Sequence, residues 1–140
     1  MSPAGAPRPS TPGHEAGTRV ARSLRDKRLG RRGESVAASY LQSRGMVVLS
    51  RNWRCRHGEL DLVLTDGGRV IVAEVKTRSS TAFGLPAEAV DRLKAARIRQ
   101  LAQQWLAEFR VGGCEVRFDV VAILWRPDEH PLIEHIVGAF

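Results

Sequence analysis

The spacing of apolar side chains changes several times along this chain, and each change marks an element. From about Arg22 the spacing is helical, clearest where Val36, Ala37, Tyr40 and Leu41 form one stripe, and Gly45 ends it. Met46 to Leu49 is a short β-prone run. Residues 58–65 and 69–78 then alternate as two strands around Asp66-Gly67-Gly68, a hairpin signal. Pro86 suits the first turn of a second helix, where its missing N–H costs nothing. In that helix Val90, Leu93, Ile98, Leu101, Ala102, Trp105, Leu106 and Phe109 recur at helical spacing as core residues, until Gly112-Gly113 closes it. Val116, Phe118, Val120, Ala122 and Leu124 alternate in a fourth strand, and a turn at Pro127-Asp128 precedes a last strand around 132–137. The order α-β-β-β-α-β-β predicts an α/β (α+β) domain, a central mixed sheet of about five strands flanked by helices.

Four carboxylates break this pattern. Glu34 precedes Ala37, Ala38 and Leu41 by three, four and seven residues, so it shares the helix side that faces the core. Residues two apart on a strand share a face, which pairs Glu59 with Asp61 and Glu74 with Lys76. If Gly67 and Gly68 are the centre of a tight turn, counting outwards sets Asp61 opposite Glu74 and Glu59 opposite Lys76. The same register puts Leu60, Leu62 and Leu64 on one face with Ile71, Ala73 and Val75, a match that a one-residue slip would break. Carboxylates opposed at about 5 Å repel, and burial raises the cost of ionising both. A divalent cation would offset that cost, since Mg²⁺ is held by one or two carboxylates while keeping waters and phosphate oxygens as further ligands. A neighbouring lysine could stabilise charge developing on a phosphate or help orient the attacking water. Spacing alone leaves a structural alternative open: Lys76 neutralises Glu59 and Glu74, while Arg54, Arg56 or Arg78 balances Asp61.

Composition narrows the setting. The 140 residues, 43% hydrophobic, support one domain with a proper core. Residues 1–20 are expected to be a disordered arm rich in Pro, Gly, Ala, Ser and Thr, and residues 21–140 the folded domain. No apolar stretch is long enough to cross a membrane and no secretory leader is evident, so no membrane partner and a cytoplasmic location are expected. Cys55 and Cys114 have no zinc-like spacing and are expected to be free. The formal charge of +7 is concentrated at the N-terminus: eight basic residues through Arg32 (Arg8, Arg19, Arg22, Arg25, Lys27, Arg28, Arg31, Arg32) face Glu15 and Asp26. Such an arm attracts a polyanion through counterion release, or is simply solvated.

Gly33-Glu34, Asn52-Trp53-Arg54, Gly58-Glu59-Leu60-Asp61, Glu74-Val75-Lys76-Thr77-Arg78, Lys94 and Arg117-Phe118-Asp119-Val120-Val121 closely resemble the YraN family of uncharacterised bacterial proteins. The resemblance runs from about Arg32 to Phe140 and leaves out the arm. That family looks like a member of the restriction-endonuclease-like superfamily, alongside archaeal Holliday-junction resolvases. The resemblance implies an endonuclease that uses Mg²⁺ or Mn²⁺ to hydrolyse DNA phosphodiesters, at branched or single-stranded sites. Carried over, Glu34 would support the metal or its water, Asp61 and Glu74 would be metal ligands, and Lys76 the charge stabiliser. Arg31, Arg32, Arg54, Arg78 and Lys94 are expected to meet nucleic acid, with Glu59 and Asp119 as secondary site candidates. A homodimer is expected by analogy with junction resolvases. The competing expectations are a nucleic-acid-binding accessory protein of the same fold that does not cut, and an interaction protein whose charged cluster only holds the sheet.

Overall fold

The computed structural model describes residues 12–80 and 90–140. Helix α1 (Pro12–Ser43) leads into β1 (Val47–Cys55), β2 (Gly58–Thr65) and β3 (Arg69–Arg78); α2 (Arg92–Glu108) then connects to β4 (Glu115–Leu124) and β5 (Leu132–Ile136). The five strands form one sheet in sequence order, antiparallel except for the parallel pair β3–β4, which α2 links as a crossover. Element types and order are those expected from the spacing.

The two sheet faces carry separate cores. Ala37, Ala38 and Leu41 of α1 pack on Leu62, Leu64, Ile71, Ala73, Val121 and Ile123. Ile98, Leu101, Ala102 and Trp105 of α2 pack on Val63, Val70 and Val72. The central strands are therefore covered on both sides, as their near-continuous apolar runs require. Two indole N–H groups fasten α2 to β1: Trp105 Nε1 donates to Ser50 Oγ at 2.9 Å and Trp53 Nε1 to Glu108 Oε2 at 2.6 Å. Among the described residues no helix is long and apolar enough to cross a membrane.

Several boundaries differ from expectation. The helix expected from about Arg22 begins, among the described residues, at Pro12. Proline is tolerated in a first turn, and once nucleated a helix gains a hydrogen bond with each added residue. The expected helix start at Pro86 lies outside the described residues; α2 starts after Asp91, whose carboxylate accepts from Lys94 N at 2.8 Å as an N-cap. Leu93, one residue into the helix, is 84% exposed and Phe109 caps its end half-exposed, so neither belongs to the core. Strand β1 continues well past Leu49, through polar residues that an edge strand can leave in solvent.

The register expected for the hairpin is observed: Thr65, Leu64, Val63 and Leu62 face Val70, Ile71, Val72 and Ala73. The turn is fixed by Asp66, whose Oδ1 accepts from Gly68 N and Arg69 N. Those N–H groups, that of Gly68 first, hold its carboxyl below the ordinary range. One expected face assignment fails. Leu60 packs under α2, while Leu62 and Leu64 pack under α1. Strict alternation would put all three together, so β2 turns over at Asp61. The cause lies in the neighbouring strand: between the Arg51–Leu62 and Trp53–Leu60 pairs stands Asn52 with φ +48, a left-handed residue that resets the pleat.

Candidate active site

The turn-over at Asp61 creates the site. Paired contacts between β2 and β3 stop at Leu62–Ala73, so Glu59 does not pair with Lys76; the next link is a side chain, Asp61 Oδ2 accepting from Val75 N at 2.9 Å. Asp61 thus reaches both layers. On the α1 side, ligand atoms of Glu34, Glu59 and Asp61 all lie within 4.8 Å of one another. On the α2 side, Glu74 hydrogen-bonds Asp61 and opens into a 380 Å³ pocket that Glu59, Lys94 and Arg97 also line.

Four carboxylates therefore converge here. Glu74 is 8% exposed and, among the described residues, its Oε1 has no hydrogen-bond partner. Burial, then the Asp61 charge and the hydrogen bond to Asp61, push its carboxyl up to about 9. Glu34 is raised as well, by burial and then by the charge of Asp61, although the Asn52 side chain hydrogen-bonds it. The Arg54–Glu59 pair at 3.2 Å has its arginine largely in solvent, where such pairs contribute little.

The structure brings Glu34 and the secondary candidate Glu59 together with Asp61 in a trio that could hold a cation, and Glu74 hydrogen-bonds Asp61. Lys76 is exposed, two residues beyond Glu74 on the same strand, and among the described residues no ion pair joins it to Glu59 or Glu74. The salt-bridge alternative in that form is therefore not what holds the cluster. Arg31 acts on Glu34 through its charge and Lys94 on Glu74. Arg32 lies over the Trp125 ring at 4.2 Å, and the Arg78 carbonyl accepts from Trp125 N. In the sequence Asn52 stands out only as part of the family motif Asn52-Trp53-Arg54. An Asn three residues past the β-prone run is the signal the sequence offers, because Asn tolerates φ > 0.

Asp119 stands apart from this group. It is fully buried in β4 and receives Arg117 Nε and Nη2 at 2.9 Å each and Gly138 N at 3.0 Å, with His135 Nε2 at 2.8 Å. Burial works against its charge, but the Arg117 guanidinium, the Gly138 N–H and His135 together hold its carboxyl below the ordinary range. Its work is to tie β5 and the C-terminal turn to β4. Asp119→Asn would turn an N–H group toward these donors and is expected to lower stability by about 2 kcal/mol, read by denaturant unfolding. That contribution is present above the ordinary carboxylate range and is lost as pH falls through the depressed value.

Glu74 has the opposite sign. Below pH 4.5 it is protonated in folded and unfolded chains alike and costs nothing. As pH rises from 4.5 toward 9 the unfolded chain ionises freely while the folded protein must keep the proton or bury a charge, so folding loses free energy over that window. Glu74→Gln is therefore expected to stabilise the metal-free protein by about 2 kcal/mol at pH 8 and by almost nothing at pH 4. Melting curves at the two pH values check this; equal shifts at both would refute it.

A mixed α/β chain with such a carboxylate cluster at the break between two central strands has relatives. Residues 33–123 match the uncharacterised protein family UPF0102. A UPF0102 protein of Acidothermus cellulolyticus is 51% identical over 135 residues, covering 89% of this chain and 99% of the relative. One from Frankia alni is 57% identical over 113 residues, covering 80% and 93%. This chain belongs to the UPF0102 family, also called the YraN family.

Proposed function

We propose that this protein is a metal-dependent endonuclease that hydrolyses nucleic-acid phosphodiesters, DNA being the expected substrate. The observation that carries the reading is the convergence of Glu34, Glu59 and Asp61 within 4.8 Å, backed by a buried Glu74 whose Oε1 lacks a partner among the described residues. An all-oxygen, acidic donor set of this kind suits a hard cation such as Mg²⁺ or Mn²⁺, so the residues present fit the metal that the restriction-endonuclease-like resemblance implies. Asp61, Glu34 and Glu59 would hold it, with Glu74 completing the set from the α2 side. Bound there, the metal would polarise a phosphoryl oxygen as a Lewis acid.

The protein's own side chains do the rest. The Glu34 carboxylate, with the Asn52 side chain beside it, is placed to orient and deprotonate an attacking water. Lys94 and Arg97, on the wall of the Glu74 pocket, are placed to draw in a phosphate and stabilise its growing charge; Lys76 can do so from the strand. The α2 layer shields one side of the cluster from bulk water, which strengthens these electrostatic effects.

Incubating the purified protein with branched, nicked and single-stranded DNA plus Mn²⁺ should yield cleavage; intact DNA in every case would remove the enzyme reading. The metal is checked separately. Mn²⁺ should raise the melting temperature of the wild type by mass action and leave that of Asp61→Asn unchanged, and equal shifts in both would count against these ligands. A second reading, a binding protein that does not cut, draws on the exposed arginine-rich half of α1. It would give salt-dependent retention of DNA without cleavage.

A further inference from the structure

The N-terminal half of described α1 does not lie on the sheet core: residues 19–28 are exposed throughout. Between it and the β4–β5 turn runs a groove of 1010 Å³, lined by Arg22, Arg25, Arg28 and Arg32 from the helix and by Trp125 and Arg126 from the turn. At about 100° per residue the four helix arginines fall within an arc of roughly 120°, forming one row. At a rise of about 1.5 Å per residue that row is about 15 Å long, four to five steps of a nucleic-acid strand at about 3.4 Å each. Asp26, Asp128 and Glu129 also border the groove, leaving five arginines against three carboxylates. Among the described residues, no recorded ion pair uses any of those eight side chains.

The floor of the groove is built. Trp125 is half-buried and its Nε1 donates to Glu129 O at 3.1 Å, which fixes the ring. The Arg32 guanidinium lies over that ring at 4.2 Å and is held there as a cation–π partner. An arginine fixed in this way loses less freedom when it binds an anion, and its planar fork suits a phosphodiester. By the same helix geometry Glu34 lies about half the helix circumference from the middle of the arginine row. The groove is thus separate from the carboxylate site.

We propose that this groove is a second nucleic-acid contact, binding the phosphodiester backbone of a segment other than the one whose phosphate lies at the carboxylates. The inference rests on the reading of nucleic acid as substrate, and it goes further by assigning Arg22, Arg25, Arg28, Arg32 and Arg126 to the backbone, with Trp125 positioning Arg32. A linear row of guanidinium groups matches a linear array of phosphates, which is why nucleic acid is chosen over an acidic peptide.

The test measures binding by fluorescence anisotropy of the full-length protein in EDTA, so that cleavage plays no part. Labelled single strand, duplex of equal length and polyglutamate are titrated against three proteins. These are the wild type, the triple variant Arg22→Gln/Arg25→Gln/Arg28→Gln, and a charge-matched control, Arg51→Gln/Arg92→Gln/Arg110→Gln. All three control positions are exposed and none lines the groove. The groove variant is expected to bind nucleic acid about tenfold or more weakly, with its salt slope reduced by about 2 on single strand, while the control changes by less than about threefold. Equal losses in both variants, no loss in the groove variant, no binding by the wild type, or tighter binding of polyglutamate would each overturn the proposal. A second readout is independent of charge count: nucleic acid should change the intrinsic tryptophan fluorescence of the wild type but not that of Trp125→Phe, and a change persisting in that variant would also overturn it. The two readings fail differently. Binding through the groove without cleavage of any substrate sinks the nuclease reading alone, and cleavage with unaltered KM in the groove variant sinks the groove alone.

Discussion

Asp61→Asn is expected to reduce DNA cleavage in Mn²⁺ by about a thousandfold or more, equivalent to roughly 4 kcal/mol of lost transition-state stabilisation, while the protein stays folded. Asparagine is the informative change because Asp61 has two tasks. Its Oδ2 accepts the Val75 N–H, a bond that stands where the β2–β3 ladder has ended. Alanine would leave that donor unsatisfied and cost about 1–3 kcal/mol for a reason unrelated to chemistry. Asparagine retains an acceptor oxygen and removes only the charge. That charge contributes to raising both Glu34 and Glu74, so its loss relieves repulsion and the melting temperature should hold or rise. Single-turnover cleavage and thermal melting, measured on the same preparation, separate the outcomes. Unchanged cleavage would remove Asp61 from the chemistry, and a sharp fall in melting temperature would show that the cluster exists to hold the sheet.

Much of this arrangement could be read from residue order. Alternation around Asp66-Gly67-Gly68 predicts a register that the structure has at every recorded pair from Leu62–Ala73 to Thr65–Val70, because slipping it would carry Leu62, Leu64, Ile71 and Ala73 off their shared core. The same alternation misplaces Leu60. A period of two assumes an unbroken pleat, and the left-handed Asn52 in the adjoining strand breaks it. What the pattern could not carry is that the strands part just where the carboxylates stand, so that Asp61 can face Glu34 in one layer and Glu74 in the other. Leu93 shows another limit: helical periodicity names a face, but a helix N-terminus can extend past the sheet that would cover it. Asp119 is the converse. A lone strand carboxylate gave no sign of its partners, since Arg117 adjoins it in sequence but His135 and Gly138 reach it only through the β4–β5 pairing.

The position of Glu34 depends in turn on the glycine before it, and this gives the largest expected effect on folding. A Cβ at Gly33 would stand 1.7 Å from Thr77 Oγ1 and 2.8 Å from Thr77 Cβ, so α1 and β3 approach as closely as they do only because residue 33 has no side chain. A threonine rotamer change could move the hydroxyl but not the Cβ, which leaves separation of helix and strand as the response. Gly33→Ala is therefore expected to cost about 3 kcal/mol, a fall of ~10 °C in melting temperature, despite alanine's better helix propensity. Among the described residues the buried Thr77 hydroxyl has no hydrogen-bond partner, so Thr77→Ala alone should be nearly neutral and, combined with Gly33→Ala, should restore a large part of the loss. The double-mutant cycle measures that coupling; additive losses would show that the contact is not what seats the helix. Activity adds a second readout. Lifting α1 moves Glu34 away from Asp61 and Asn52, so under conditions where Gly33→Ala remains folded its cleavage rate should still fall, and Thr77→Ala should restore rate and stability together.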